Sequence, residues 1–279
     1  VLVLPRKTEN GGVPAPGRTD AGGAFCGQNT EKSAEAALQV FASLPPGSVI
    51  GTGSLRRQLY GKRLCPQAQF SLIRGNVDSR LKKLQDGGYD GLILAKAGLD
   101  RLGIPERERE HFWFLPIPED VFLPAACQGI IAVEGRCADW ERPEEEAAER
   151  TADKTAAAVR SVMRLAAGID DPVTRLAFET ERRALFNFGA DCSAPAAAYC
   201  RILPPEETDR GGLWLKLSVM YAGRECSGTA PAKERLELAD RLCREVSSSR
   251  EVRKKPGKPG KVWLVGAGCG GPELITVKG

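Results

Sequence analysis

The sequence predicts an α/β protein: a mixed, mostly parallel sheet with helices on its faces, followed by a small α+β domain. Three observations carry this. Between residues 48 and 102, short apolar runs alternate with Gly- or Asn-containing turns and helix-like stretches three times over, the pattern of a parallel sheet. Beyond residue 150 the order changes to helix, strand pair and helix. The 279 residues, 42% hydrophobic and 27% charged, are enough for two compact domains with buried cores.

Val1-Leu2-Val3-Leu4 reads as an interior strand exposed by truncation; with neither a Met nor a charged leader it is not a signal peptide. Residues 5–30 are rich in Gly, Pro, Thr and Asn without periodicity, and read as a mobile loop. Residues 31–44 carry Ala, Leu, Val and Phe on one side of a helix that ends before Pro45-Pro46-Gly47. Ser48–Thr52 is a strand entering Gly53-Ser54, where Ser54 is placed to cap a helix over Leu55–Leu64. Phe70–Ile73, Arg74-Gly75-Asn76 and Val77–Gln85 repeat that unit, and Asp86-Gly87-Gly88 stops its helix. Tyr89–Ala95 is the next strand, followed by a helix over Ala97–Leu102.

A loop through Pro124 leads to a strand at Gly129–Glu134, and residues 141–160, rich in Glu, Ala and Arg, read as a helix. A helix over Pro172–Phe186, a strand pair at Ala196–Leu203 and Leu213–Tyr221, and a helix over Ala232–Ser247 complete the second domain. The domain limits are then 1–123, a return segment at 124–148, 149–250, a basic Pro/Gly linker at 251–260, and 261–279.

Forty Lys and Arg against 36 Asp and Glu leave a net charge of only +4, but the cations cluster at Arg56-Arg57, Lys62-Arg63, Arg74, Arg80 and Lys82-Lys83. Such a patch favours an anionic ligand. Arg56-Arg57 and Arg74 stand where two successive strands give way to helices, and there both the helix dipole and the guanidinium fork favour a carboxylate. Nine cysteines with no C-x-x-C pair, and a single histidine, His111, argue against a zinc site and for a reducing cytoplasm. No apolar run is long enough for a transmembrane helix. Asp78 and Asp90, near turns, read as solvated or capping residues.

Gly51–Gln58, Arg74–Leu84, Tyr89–Ala95 and Gly98–Gly103 together resemble the second domain of hydroxymethylbilane synthases (porphobilinogen deaminases). Leu123-Pro124, Gln128-Gly129 and Glu134-Gly135-Arg136 resemble that family's crossing back to its first domain. Glu181-Arg182 and Cys192 followed by Pro195 resemble its cofactor segment. The resemblance spans roughly residues 1–250. It implies a periplasmic-binding-protein-like α/β domain with a small α+β cysteine domain, the first domain being largely absent. It also implies a monomeric cytoplasmic transferase of the porphyrin and cobalamin pathways. Its partners are porphobilinogen and polypyrrole intermediates, not nucleic acid or membrane.

The resemblance further implies that four porphobilinogen molecules are joined head to tail with loss of ammonia, on a dipyrromethane cofactor bound covalently to Cys192. Thr52, Ser54, Arg56, Arg57, Arg74, Arg80, Arg101 and Arg136, with Gln128 and Gly129, would hold the carboxylate side chains. The family's catalytic aspartate would lie upstream of residue 1. The chain departs from the family at Ala190-Asp191, where a glycine pair is usual, at Gly53, where a second Ser is common, and at Cys127, where Gly is usual.

Lys261–Gly279 formally contains G-x-G-x-x-G at Gly266, Gly268 and Gly271. Its continuation resembles the opening of uroporphyrinogen-III C-methyltransferases, which use S-adenosylmethionine. About twenty residues cannot bury a core, so this stretch is expected to be unstructured. Two other readings stay open. One is a non-catalytic carboxylate- or phosphate-binding module on the same fold. The other is a nucleic-acid binder, against which the arginines lack interleaved aromatic residues and the net charge is low.

Overall fold

The computed structural model describes residues 1–6, 30–134, 167–190, 194–208, 211–247 and 262–265. The expected loop interior (7–29), the helix at 141–160, Arg136, Cys192 and the linker lie outside the described residues.

The first unit is a five-stranded sheet in the order β3-β2-β4-β1-β5. Its strands are β1 (Leu2–Pro5), β2 (Val49–Gly51), β3 (Gln69–Ser71), β4 (Gly91–Ile93) and β5 (Phe112–Leu115). β2 runs parallel to both β3 and β4, whereas β1 is antiparallel to β4 and β5, so four strands point one way and β1 is reversed between two of them. Leu2, Val3 and Leu4 are at most 1% exposed. An all-apolar run is what a strand covered on both faces requires.

Helices α1 (Thr30–Ala42), α2 (Leu55–Leu64), α3 (Val77–Gln85), α4 (Lys96–Arg101) and α5 (Ile104–Arg107) connect these strands. Ser54 caps α2 by accepting the Arg57 N–H, and Asn76 caps α3 by accepting the Ser79 N–H. α3 ends at Asp86 with Gly87 at φ 77°, a conformation open to glycine and costly to other residues. Asp90 accepts the Val49 N–H at 2.7 Å, and Asp78 pairs with Arg107. Gly61, in mid-helix, lets α2 lie directly on the Phe70 ring.

The second unit is a three-stranded antiparallel meander, β7 (Ala196–Leu203), β8 (Trp214–Tyr221) and β9 (Arg224–Pro231). It is covered by α6 (Pro172–Phe188) and α7 (Arg235–Ser247). The expected strand pair is thus corrected to three strands. β9 buries small residues such as Ala230 and leaves charged and polar ones exposed, so its apolar signal is weak. The β8–β9 turn uses Ala222 (φ 51°) and Gly223 (φ 88°) in place of the usual Asn-Gly. β5 and α5 also went unread. Phe112-Trp113-Phe114-Leu115 does not alternate, and the charged run of residues 106–110 masks the short helix before it.

The two units share apolar contacts. Ala197 and Met220 of the second unit join the cluster of Leu4, Phe41, Ile50 and Tyr60 in the first. The Tyr60 ring stacks on Phe122 with centroids 4.7 Å apart, and Arg63 pairs with Glu225 on β9. One further expectation is corrected. Val262–Val265 forms a strand, β10, antiparallel to β6 (Ile131–Glu134). Pairing satisfies a backbone edge that β6 would otherwise expose, without a core of its own.

Candidate functional site

A cleft of about 600 Å³ opens at the carboxyl ends of β2 and β4, where open α/β sheets bind ligands. Arg56, Arg57 and Lys96 line it with Gln128, and Glu119 and Asp120 stand on its rim. Arg56 and Arg57 come from the first turn of α2, and Lys96 follows β4 directly.

The arginines are held by backbone carbonyls. Arg56 is 4% exposed and donates to the Leu123 carbonyl. Burial, followed by the charge of Arg57, lowers its pKa to about 10, so it remains a cation at neutral pH. Arg57 donates to the Ile93 carbonyl at 3.1 Å and to Gln128 Oε1 at 3.4 Å. Its pKa is also lowered, by burial first and then by Arg80.

Arg101 donates to the Gly129 carbonyl, and Arg80 to the Gly75 carbonyl at 2.7 Å. Arg74 is exposed on the turn before α3, and its carbonyl accepts from Lys83. Thr52 is fully buried; its hydroxyl accepts the Ser54 N–H at 3.4 Å and shapes the turn that starts α2. Arg57, Arg101, Gln128 and Gly129 are therefore brought together, Ser54 stands beside them as a cap, and Arg74 is exposed on its turn.

The loop that gathers them, Leu123–Gly129, turns sharply at Cys127, whose φ is 60°. The left-handed conformation explains why Gly suits this position. Behind the loop is a second cleft of about 340 Å³, bordered by Thr174, Glu181, Tyr199 and Arg201. Glu181, on α6, accepts the Cys127 N–H through one oxygen and the Cys200 N–H through the other, the latter at 2.7 Å. Burial raises its pKa to about 7. On either side of Cys192, Ala190 and Ala194 pack against the core of the second unit.

Sequence reasoning missed Lys96 and the acidic rim. Lys96 was findable, since it stands at the carboxyl end of a strand already identified. Glu119 and Asp120 gave no signal beyond a polar loop. Glu181 was noted only as part of a motif, because its two backbone partners are 54 and 19 residues away in sequence.

In this arrangement cationic forks are fixed beside an open cleft, where planar anions can replace carbonyl and amide partners. Among the described residues, no helix is long and apolar enough to cross a membrane.

Comparison with known proteins agrees with this chemistry. Residues 11–143 match the model of the porphobilinogen deaminase dipyrromethane cofactor binding domain. The porphobilinogen deaminase of Streptococcus sanguinis is 32% identical over 229 residues, covering 81% of this chain and 63% of that protein. That of Nitrobacter hamburgensis is 34% identical over 80% of this chain and 60% of its own length. That of Acidothermus cellulolyticus is 43% identical over 56% of this chain and 41% of its own. The chain thus spans less than two thirds of the curated relatives that it matches. Across the matched residues, this chain is similar to the porphobilinogen deaminases.

Proposed function

We propose that the chain is part of a hydroxymethylbilane synthase, which joins four porphobilinogen molecules into a linear tetrapyrrole and releases ammonia at each addition. The observation that carries this reading is the cleft itself. Arginines at the first turn of α2 line it at the carboxyl ends of the strands, and the loop that holds Arg57 through Gln128 also holds Arg101 of α4 through Gly129. Each pyrrole of such a product bears two carboxylates, so a fixed row of guanidiniums suits it.

The residues present fit a dipyrromethane. Ser54, Arg57, Arg74, Arg80 and Arg101, with Gln128 and Gly129, would hold its carboxylates, together with Arg136. Arg56 and Thr52 would set the loop and turn on which the others depend. Cys192 would carry the group through a thioether. When bound, the group supplies the anchored end to which pyrroles are added. The part this chain plays is to bind and orient carboxylates.

The domain limits at 123 and 148 and the likeness to periplasmic-binding proteins belong to the same reading. So does the identification of residues 261–279 as the opening of a tetrapyrrole methyltransferase that would take S-adenosylmethionine. The test is the intact mass of the protein from its source, with an aldehyde stain for dipyrroles. An adduct of two pyrrole units, lost in Cys192→Ser, supports the reading. An unmodified chain refutes it and favours a carboxylate-binding module.

A further inference from the structure

Glu181 is 4% exposed, and both its carboxyl oxygens are used on backbone. One accepts the N–H of Cys200 on β7, an edge strand whose outer N–H groups have no strand partner. The other accepts the N–H of Cys127, in the turn of the Leu123–Gly129 loop. Few side chains can do this. A carboxyl group keeps acceptor lone pairs on both oxygens whether ionised or protonated, whereas an amide keeps them on one and turns a donor toward the other N–H.

The loop held in this way is the one that fixes the cleft arginines. Arg56 donates to Leu123, Arg57 to Gln128 and Arg101 to Gly129. Gln128 and Gly129 follow directly on the residue that Glu181 grips. Cys127 also has φ 60°, a conformation that a non-glycine residue keeps only when its surroundings hold it there.

We propose that Glu181 is a positioning residue for the synthase site: it ties the Leu123–Gly129 loop to β7 and so sets where Arg57 stands in the cleft and where Arg101 stands against the loop. This rests on the synthase reading for its purpose, but not for its test. The titratable and charged groups facing Glu181 are Cys127 on the loop, Tyr199, Cys200 and Arg201 on β7, and Arg182 beside it on α6. Burial makes the ionised form the costly one, and its pKa is held up near 7. Relative to an opened loop in which the carboxyl ionises at its ordinary value, the closed loop is fully favoured below about pH 4.5 and loses that advantage as pH rises to about 7.

The experiment compares the whole chain with Glu181→Gln. It reads hydrogen exchange of peptides spanning 123–130, and the labelling rates of Arg57 and Arg101 by phenylglyoxal, from pH 5.5 to 8.5. At low pH, Glu181→Gln should raise loop exchange about tenfold, as the loss of one buried hydrogen bond implies. It should speed labelling of both arginines while leaving peptides of α3 unchanged. Expressed relative to an α3 peptide at the same pH, which removes the intrinsic pH dependence of exchange, the wild-type profile should bend near pH 7 and that of Glu181→Gln should be flat.

Equal loop exchange in the two proteins overturns the proposal, as does a rise spread evenly over every segment. If Glu181→Gln fails to fold, the wild-type profile decides, and the absence of a bend confined to 123–130 overturns the proposal. Titration of the wild type with porphobilinogen tests the synthase reading separately: no binding refutes that reading and leaves the exchange result standing.

Discussion

Gly61 is a position where helix propensity and packing give opposite signs. It lies inside α2, where replacing Gly by Ala should stabilise by about 1 kcal/mol. A Cβ there, however, would stand 2.5 Å from Cζ of Phe70 and nearer still to Cε1. The ring would have to move by about 1 Å to restore ordinary contact. It has little room, since Phe70 packs against the first core and beside Phe41, with centroids 6.5 Å apart. Overpacking costs about 1–3 kcal/mol, and so close an approach belongs in the upper part of that range, about 2–3 kcal/mol, so Gly61→Ala should destabilise by about 1–2 kcal/mol net. Urea unfolding followed by circular dichroism measures this. In a Phe70→Ala background the clash is gone, and Gly61→Ala should there stabilise by about 1 kcal/mol, a coupling of about 2–3 kcal/mol. A stabilising effect in the wild-type background would refute the close approach of α2 to β3.

Other substitutions probe the second unit and the loop. Leu217 is fully buried on β8, so Leu217→Ala should cost about 2–5 kcal/mol in the same assay. Asp240 is held below the usual carboxylate range by Arg183 and then by Asn187. Its contribution is present above about pH 4 and is lost as pH falls through its folded pKa. Asp240→Asn should therefore flatten the acid limb of a stability–pH curve, by about 1 kcal/mol for a partly exposed pair. Cys127→Gly should change stability by less than about 1 kcal/mol, because relief of the positive φ offsets glycine's extra chain entropy. Cys127→Val should be worse than Cys127→Gly by about 2 kcal/mol, since a β-branched residue fits that conformation least. On the proposed synthase reading, Arg57→Ala should weaken porphobilinogen binding while changing the unfolding free energy in urea by no more than about 1 kcal/mol.

The sequence made the first unit legible where each cause is local. Ser54 and Asn76 announce helix starts, Gly87 announces a stop, and Leu55–Leu64 and Val77–Gln85 follow with their observed limits. The reversed direction of β1 was not legible, because four apolar residues fit a strand of either sense. Nor was the clasp at Glu181, whose partners are backbone groups that no side-chain pattern marks. In the site, Arg56-Arg57 could be read from their place after a strand. That Arg56 turns inward to a carbonyl could not, since it depends on the path of the Leu123–Gly129 loop.

The strand β1 has a consequence for how the molecule could be taken apart and put back together. It is hydrogen-bonded along both edges, and Arg6 reaches the Phe112 carbonyl, 106 residues away in sequence. Its Leu2, Val3 and Leu4 side chains are fully enclosed, each worth about 1.5–3 kcal/mol of burial. Little of its attachment runs through the peptide bond that follows it. A protein carrying a protease site between residues 7 and 29 should, once cut there, keep its first segment as a bound strand. A synthetic peptide of residues 1–6 should then exchange with that segment, which makes β1 a natural entry point for a spectroscopic label in the sheet.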